Sequence, residues 1–111
     1  MMRILFEHGT PFLLRNALAS HSITRTQDIG WARLSNGELL TAAERAGFEM
    51  LLTTDKNIRY QQNLAGRKIA IVVLGASQWP VLRLHIQQVA AAINAITPGS
   101  YTEINIPRGR P

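Results

Sequence analysis

The chain has 111 residues, 46% of them hydrophobic and 17% charged, and Lys plus Arg at 12 against Asp plus Glu at 7 gives a formal net charge of +5. One domain's length with ordinary apolar content excludes intrinsic disorder and a multidomain architecture. The absence of cysteine excludes disulfides, thiolate zinc sites and thiol nucleophiles; no apolar run approaches the roughly 18–20 residues of a membrane span, and Glu7 interrupts any signal-peptide core, so a cytoplasmic protein is expected.

In chain order, Arg3–Phe6 reads as a short buried strand that exits through Glu7-His8-Gly9. Thr10-Pro11 then offers a hydroxyl N-cap before a proline at the first helical position, predicting a helix to Ala19 with Leu13, Leu14, Ala17 and Leu18 facing inward. Ser22–Arg25 reads as a second strand, and 28–34 as a loop in which Gly30 permits a turn and Trp31 covers apolar surface. Ser35-Asn36-Gly37-Glu38 has the spacing of a capping box. Leu39, Leu40, Ala43 and Ala46 continue that helix, and Gly47 closes it.

Residues 49–53 and 68–74 are central strands, the second apolar without alternation, as where both sheet faces are covered. Between them, 55–64 reads as a short polar helix with Ala65-Gly66 as its exit. Trp79-Pro80 opens a long helix carrying Leu82, Ile86, Val89, Ile93 and Ile96 at helical intervals, and Pro98-Gly99 stops it. Residues 101–106 make an edge strand. This places a single domain over 1–106 and a basic flexible tail over 107–111. Repeated strand–helix alternation predicts an α/β fold with a parallel sheet and right-handed crossovers.

Such sheets bind ligands beyond the carboxyl ends of their strands, where the strand order switches. Glu7 follows the first strand; Asp55 follows the third, after Thr53 and Thr54; Glu38, at a helix start, projects toward the same edge. Gathering like charges costs free energy unless a cation neutralises them, which points to Mg²⁺ or Mn²⁺ and to phosphodiester hydrolysis. Each acid also has a structural reading. Glu38 completes a capping box with Ser35, Asp55 caps the polar helix, and Glu7 is a solvated loop charge. Asn36 can lend a carbonyl oxygen to a metal or cap its helix, and Thr54 and Asn57 flank Asp55 as supporting residues.

Lys56, Arg59, Arg67 and Lys68 lie in a stretch with no acid from residue 56 to residue 78. They form a basic strip able to follow phosphates, or a solvated helix face. Tyr60 and Trp79 either stack on bases or pack against the body of the protein. His8, His21 and His85 lack zinc-ligand spacing, and no glycine-rich phosphate loop is present.

These residues make the sequence similar to a known family, the small stand-alone PIN-like domains of bacteria, a branch of the PIN nuclease superfamily. The similarity runs through Ile4-Leu5-Phe6-Glu7, Gly9-Thr10-Pro11 and Asn36-Gly37-Glu38-Leu39-Leu40. It continues in Leu51-Leu52-Thr53-Thr54-Asp55-Lys56-Asn57, Arg59-Tyr60-Gln61-Gln62-Asn63-Leu64-Ala65-Gly66, Ile69 to Leu74 and Trp79-Pro80. The resemblance implies a three-layer α/β/α sandwich around a mainly parallel sheet of about five strands. It also implies a Mg²⁺- or Mn²⁺-dependent endoribonuclease, with Glu7, Glu38 and Asp55 as catalytic metal ligands and Lys56, Arg59, Arg67 and Lys68 toward the nucleic acid. Many relatives are toxins encoded beside a small antitoxin, so RNA, an antitoxin and a second copy of the chain are the expected partners, with no membrane.

The family's first acid is usually aspartate, and relatives in other branches often carry an acid where His8 and Asn36 stand. The superfamily's late acid has no counterpart among Gly75, Ala76, Ser77 and Gln78. The alternative is therefore a catalytically degenerate module that binds RNA or protein. A phosphoacceptor receiver domain also places acids after its first and third strands, but requires a lysine after the last strand, where Ile106 leads here to Pro107.

Overall fold

Strands that are apolar on both sides are stable only between two covering layers. In the computed structural model, which describes residues 1–61 and 63–106 apart from the Gln61 side chain, five strands form one sheet. They are β1 (Arg3–Phe6), β2 (Ser22–Arg25), β3 (Met50–Thr53), β4 (Ala70–Leu74) and β5 (Tyr101–Ile104), in the order β2-β1-β3-β4-β5. Every neighbouring pair is parallel, with Phe6 beside Leu52 and Leu52 beside Val72. The order is that of flavodoxin-like doubly wound sheets, and its winding direction reverses between β1 and β3. The expected tail over 107–111 lies outside the described residues.

Alternate side chains divide the core in two. Ile4, Phe6, Met50, Leu52, Val72 and Leu74 pack on one side with Leu14 and Leu18 of a 3-10 helix (Phe12–Leu18) and with Val89 and Ile93 of a later helix. Leu5, Leu51, Ile71 and Val73 pack on the other with Leu39, Leu40, Ala43 and Ile58. The α-helices are α1 (Asn36–Arg45), α2 (Ile58–Gln61), α3 (Trp79–Leu82) and α4 (Ile86–Asn94). The architecture is the expected three-layer α/β/α sandwich. Among the described residues no helix is long and apolar enough to cross a membrane.

Both halves of the capping box at α1 are present, and Gly47 closes the helix at φ +84°, a conformation that side-chain-bearing residues rarely adopt. Trp31 covers apolar surface as expected, edge-on to Phe48 with ring centroids 6.0 Å apart. Thr10 behaves differently from its expected role. The segment after it is a 3-10 helix whose N-cap position is Pro11, with no side-chain cap. The Thr10 hydroxyl instead donates to the Leu52 carbonyl at 3.1 Å, and the Glu7 amide donates to the same oxygen at 2.9 Å. A carbonyl at the end of a buried strand has two lone pairs to satisfy, and together these donors pin the 7–10 turn onto β3.

The helix expected over 55–64 is one turn, Ile58–Gln61, because Asp55–Asn57 is used as a turn before it. The long helix from Trp79 runs as α3, a 3-10 turn (Arg83–His85) and α4, with Leu82, Val89 and Ile93 buried throughout. At the end of β4, Gly75 donates to the Ile104 carbonyl at 2.8 Å. A Cβ there would stand 2.8 Å from that same oxygen, so only glycine allows β4 to leave the sheet this close to β5.

Candidate active site

All five strands point the same way, so their outgoing loops share one edge. Glu7 is the first residue beyond β1, Asp55 the second beyond β3, and the reversal of winding lies between those two strands. Thr53 joins them. It is the last residue of β3, fully buried, and its hydroxyl donates to Glu7 Oε1 while accepting the Asp55 amide at 3.0 Å. One hydroxyl thus fixes one carboxylate directly and the other through its backbone.

Asp55 is held from two further directions. Asn36 Nδ2 donates to Oδ2 at 3.1 Å, and the Asn57 amide donates to Oδ1 at 2.9 Å. The second bond closes a local turn before α2, so Asp55 shapes the approach to the helix, which begins at Ile58, instead of capping it as expected. Burial pushes the Glu7 carboxyl above its ordinary value; the Thr53 hydroxyl pulls it back, neighbouring Asp55 pushes it up again, and His8 pulls it down. Among the described residues no lysine, arginine or histidine forms an ion pair with Glu7 or Asp55.

A cleft of about 410 Å³ opens beside Asp55, lined by Thr54, Lys56, Gly75, Ala76, Ser77 and Gln78, with Leu74 and Val81 beneath. Lys56 is exposed at its rim. The loop after β4 carries no acid but supplies a hydroxyl and an amide, so the cleft wall is polar and neutral apart from that lysine.

Several expected site residues lie elsewhere. Glu38 is exposed and turned back on Ser35, accepting the Ser35 amide at 3.0 Å and its hydroxyl at 2.8 Å, and these bonds hold its carboxyl below the ordinary range. Its helix start favours that arrangement because the cap satisfies otherwise unpaired amides. Arg67 and Lys68 precede β4 and therefore sit at the opposite, amino edge, so the basic strip is not continuous. Arg67 is committed to Glu44 at 2.8 Å and to Thr41 at 3.1 Å. Arg59 lies on α2 over the Tyr60 ring, and pairs with Glu103 of β5 at 3.6 Å. Of the expected cations, Lys56 alone lines the cleft.

Among the described residues no group of three or more His, Cys, Asp or Glu side chains is arranged to hold a metal ion. Glu7 and Asp55 nonetheless fit a hard cation of the Mg²⁺ type, which takes one or two carboxylates and keeps several waters. Asn36 presents its NH₂ to Asp55 and so supports that carboxylate.

Thr53 is a site residue that the spacing of the acids does not point to. Its signal was a lone hydroxyl ending an otherwise apolar strand, two residues before an acid. Ser77 and Gln78 had a topological signal, since they follow β4 on the carboxyl edge. Fold and site together define a doubly wound α/β protein with two acids positioned by one buried hydroxyl at its switch point. No family model, curated protein or solved structure matches the chain.

Proposed function

We propose that the chain is a metal-dependent ribonuclease of PIN-like type, in which Glu7 and Asp55 hold Mg²⁺ or Mn²⁺. The observation that supports it is the pair itself: at the switch point one buried threonine donates to the Glu7 carboxylate and accepts the Asp55 amide, and among the described residues neither acid forms an ion pair with a lysine, arginine or histidine. Such an ion supplies Lewis acidity toward a phosphate and lowers the pKa of water. Thr53 fixes the Glu7 carboxylate, Asn36 and Asn57 fix that of Asp55, and Lys56 meets the phosphate from the cleft rim. Glu38 stays a capping residue in this reading.

The test is incubation of the purified protein with single-stranded and structured RNAs in Mn²⁺. Cleavage abolished by chelator and by Asp55→Asn is the expected result. Cleavage that survives Asp55→Asn overturns the mechanism, and its absence from the wild type overturns the activity. By the resemblance, the role is that of a cytoplasmic toxin held by a small antitoxin, alone or as a homodimer; induction should then arrest growth in the wild type and not in Asp55→Asn.

One observation favours a second reading. With Glu38 in its capping box, the edge has two acids where the resemblance called for three. A degenerate site would bind RNA in a salt-sensitive, chelator-insensitive manner without cutting. Thermal stabilisation by Mn²⁺ that vanishes in Asp55→Asn separates a working site from this alternative.

A further inference from the structure

The carboxyl edge carries a second cluster, on the β2 side of Glu7. Phe12 opens the 3-10 helix that follows the 7–11 turn, and Arg25 is the last residue of β2, register-paired with Phe6. Both therefore stand at the same edge as the acid pair. Phe12 is 37% exposed, and two guanidinium carbons stand over its ring: Arg15 at 4.5 Å from the centroid and Arg25 at 4.2 Å. The two arginines differ in what else they bind. Arg25 is clamped by Asp28 through Nε and Nη2 at 2.7 and 3.0 Å, which fixes its plane. Arg15 is exposed and has no carboxylate partner among the described residues, so its donor fork is open to solvent while the ring orients it.

A large exposed aromatic with an uncommitted guanidinium beside it is the chemistry that takes a nucleotide. With the Phe12 ring backing it, the outer face of the Arg15 guanidinium can stack on a base while its fork takes a phosphate. On the far side of the acid pair, Lys56 offers a second cation at the cleft. From β2 to β4 the edge crosses three strand spacings, about 14 Å, with β1 and β3 between. We propose that single-stranded RNA crosses the carboxyl edge along this line, with an unpaired base and its phosphate anchored by Phe12 and Arg15, the backbone passing over Glu7 and Asp55, and the next phosphates reaching Lys56. The proposal rests on the nuclease reading for what happens in the middle of the path, and on its own observations for the anchor. Duplex RNA hides its bases within the stack, so the anchor selects unpaired segments.

Fluorescence anisotropy with a short labelled oligouridylate and a matched hairpin, both in EDTA so that nothing is cut, tests the anchor. Phe12→Ala and Arg15→Ala should each weaken oligouridylate binding about tenfold. Arg15→Ala should also lower the salt dependence by about one phosphate contact. Arg15→Lys should restore the salt slope but only part of the affinity, because an ammonium keeps the charge and loses the plane. Arg15 is exposed, so thermal melts of its variants should match the wild type, whereas Phe12→Ala also takes the ring from under Arg25 and is compared at a temperature where its melt shows it folded. Oligouridylate affinity unchanged in Phe12→Ala and Arg15→Ala, or hairpin binding as tight as single-strand binding, overturns the proposal. Tight wild-type binding that these variants weaken, without Mn²⁺-dependent cleavage, overturns the nuclease reading and leaves the anchor standing.

Discussion

Glu44 and Glu7 occupy opposite edges of the same sheet, and their surroundings set them apart. Glu44 reaches from α1 to the amino edge, where it accepts from Arg67 Nη1 at 2.8 Å, from the Lys68 amide at 2.6 Å and from the Ile69 amide at 3.3 Å. Burial pushes its carboxyl up, but Arg67 and the two amides together hold it below the ordinary carboxylate value. Glu7, at the carboxyl edge, has the Thr53 hydroxyl for a donor and Asp55 for a neighbour, and burial leaves it above that value. Burial and donor supply together separate the two: Glu7 is the more buried and has the fewer donors, whereas the donors around Glu44 outweigh its burial. A carboxylate saturated by its own chain is structural, whereas one left with few donors at the carboxyl edge is available to an outside cation.

The largest effect should fall on catalysis at one edge alone. Asp55→Asn should lower the single-turnover rate of RNA cleavage about 100-fold or more, while Glu44→Gln leaves it unchanged. An equal loss in both would break the distinction, since it would make the amino edge part of the reaction.

Stability should show the reverse. Glu44→Ala strips the Arg67 guanidinium and two amides of their acceptor and should cost about 1–3 kcal/mol in urea unfolding. The folded pKa of Glu44 is depressed, so this contribution is present above the ordinary carboxylate value and fades as pH falls through the folded one. The gap between wild type and Glu44→Ala should therefore narrow in acid. A gap that holds constant with pH would show that packing, not charge, carries the effect.

Glu7 has the opposite sign. Its folded pKa is raised, so its contribution is fully present below the ordinary value of 4.5 and is lost as pH rises through the folded value. Glu7→Gln should melt slightly above the wild type at neutral pH without added metal, with the gap closing in acid. Added Mn²⁺ should stabilise the wild type and leave the variant where it was. A variant that melts below the wild type at neutral pH would mean that ionised Glu7 already has a favourable partner.

Much of the scaffold was legible because its determinants are local. The unalternating run Ile71, Val72, Val73, Leu74 states a strand covered on both faces, and Ser35 with Glu38 states a helix start; both hold in the fold. Glu7 and Asp55 were legible as well, because parallel topology alone puts residues after strands on one edge. What could not be read was direction. Whether Glu38 turns outward to its cap or inward to Asp55 depends on a χ choice that both readings satisfy in sequence. Thr10 departs from its expected cap for a related reason: its hydroxyl goes to Leu52, 42 residues away, a partner that no local spacing reveals. Arg67 and Lys68 follow Lys56 in sequence, but α2 and its exit loop carry the chain from one edge to the other before β4 begins, so proximity in sequence became opposition in space.

The smallest expected effect tests the comparison at its most exposed point. Glu38 is an acid with its donors supplied by its own helix cap, so by the logic that separates Glu44 from Glu7 it belongs with Glu44. Glutamine at the third helical position preserves the capping box, whereas Ser35→Ala removes it at a cost of about 1 kcal/mol. Glu38→Gln therefore deletes only the charge. Cleavage rate and Mn²⁺-induced stabilisation should both match the wild type, and Ser35→Ala should lower stability without changing the rate. If Glu38→Gln instead falls as far as Asp55→Asn, the carboxylate must leave Ser35 and swing toward Asp55 when RNA and metal bind. The cap would then be the resting state of a third ligand, and donor supply in the free protein would no longer be enough to sort structural acids from catalytic ones.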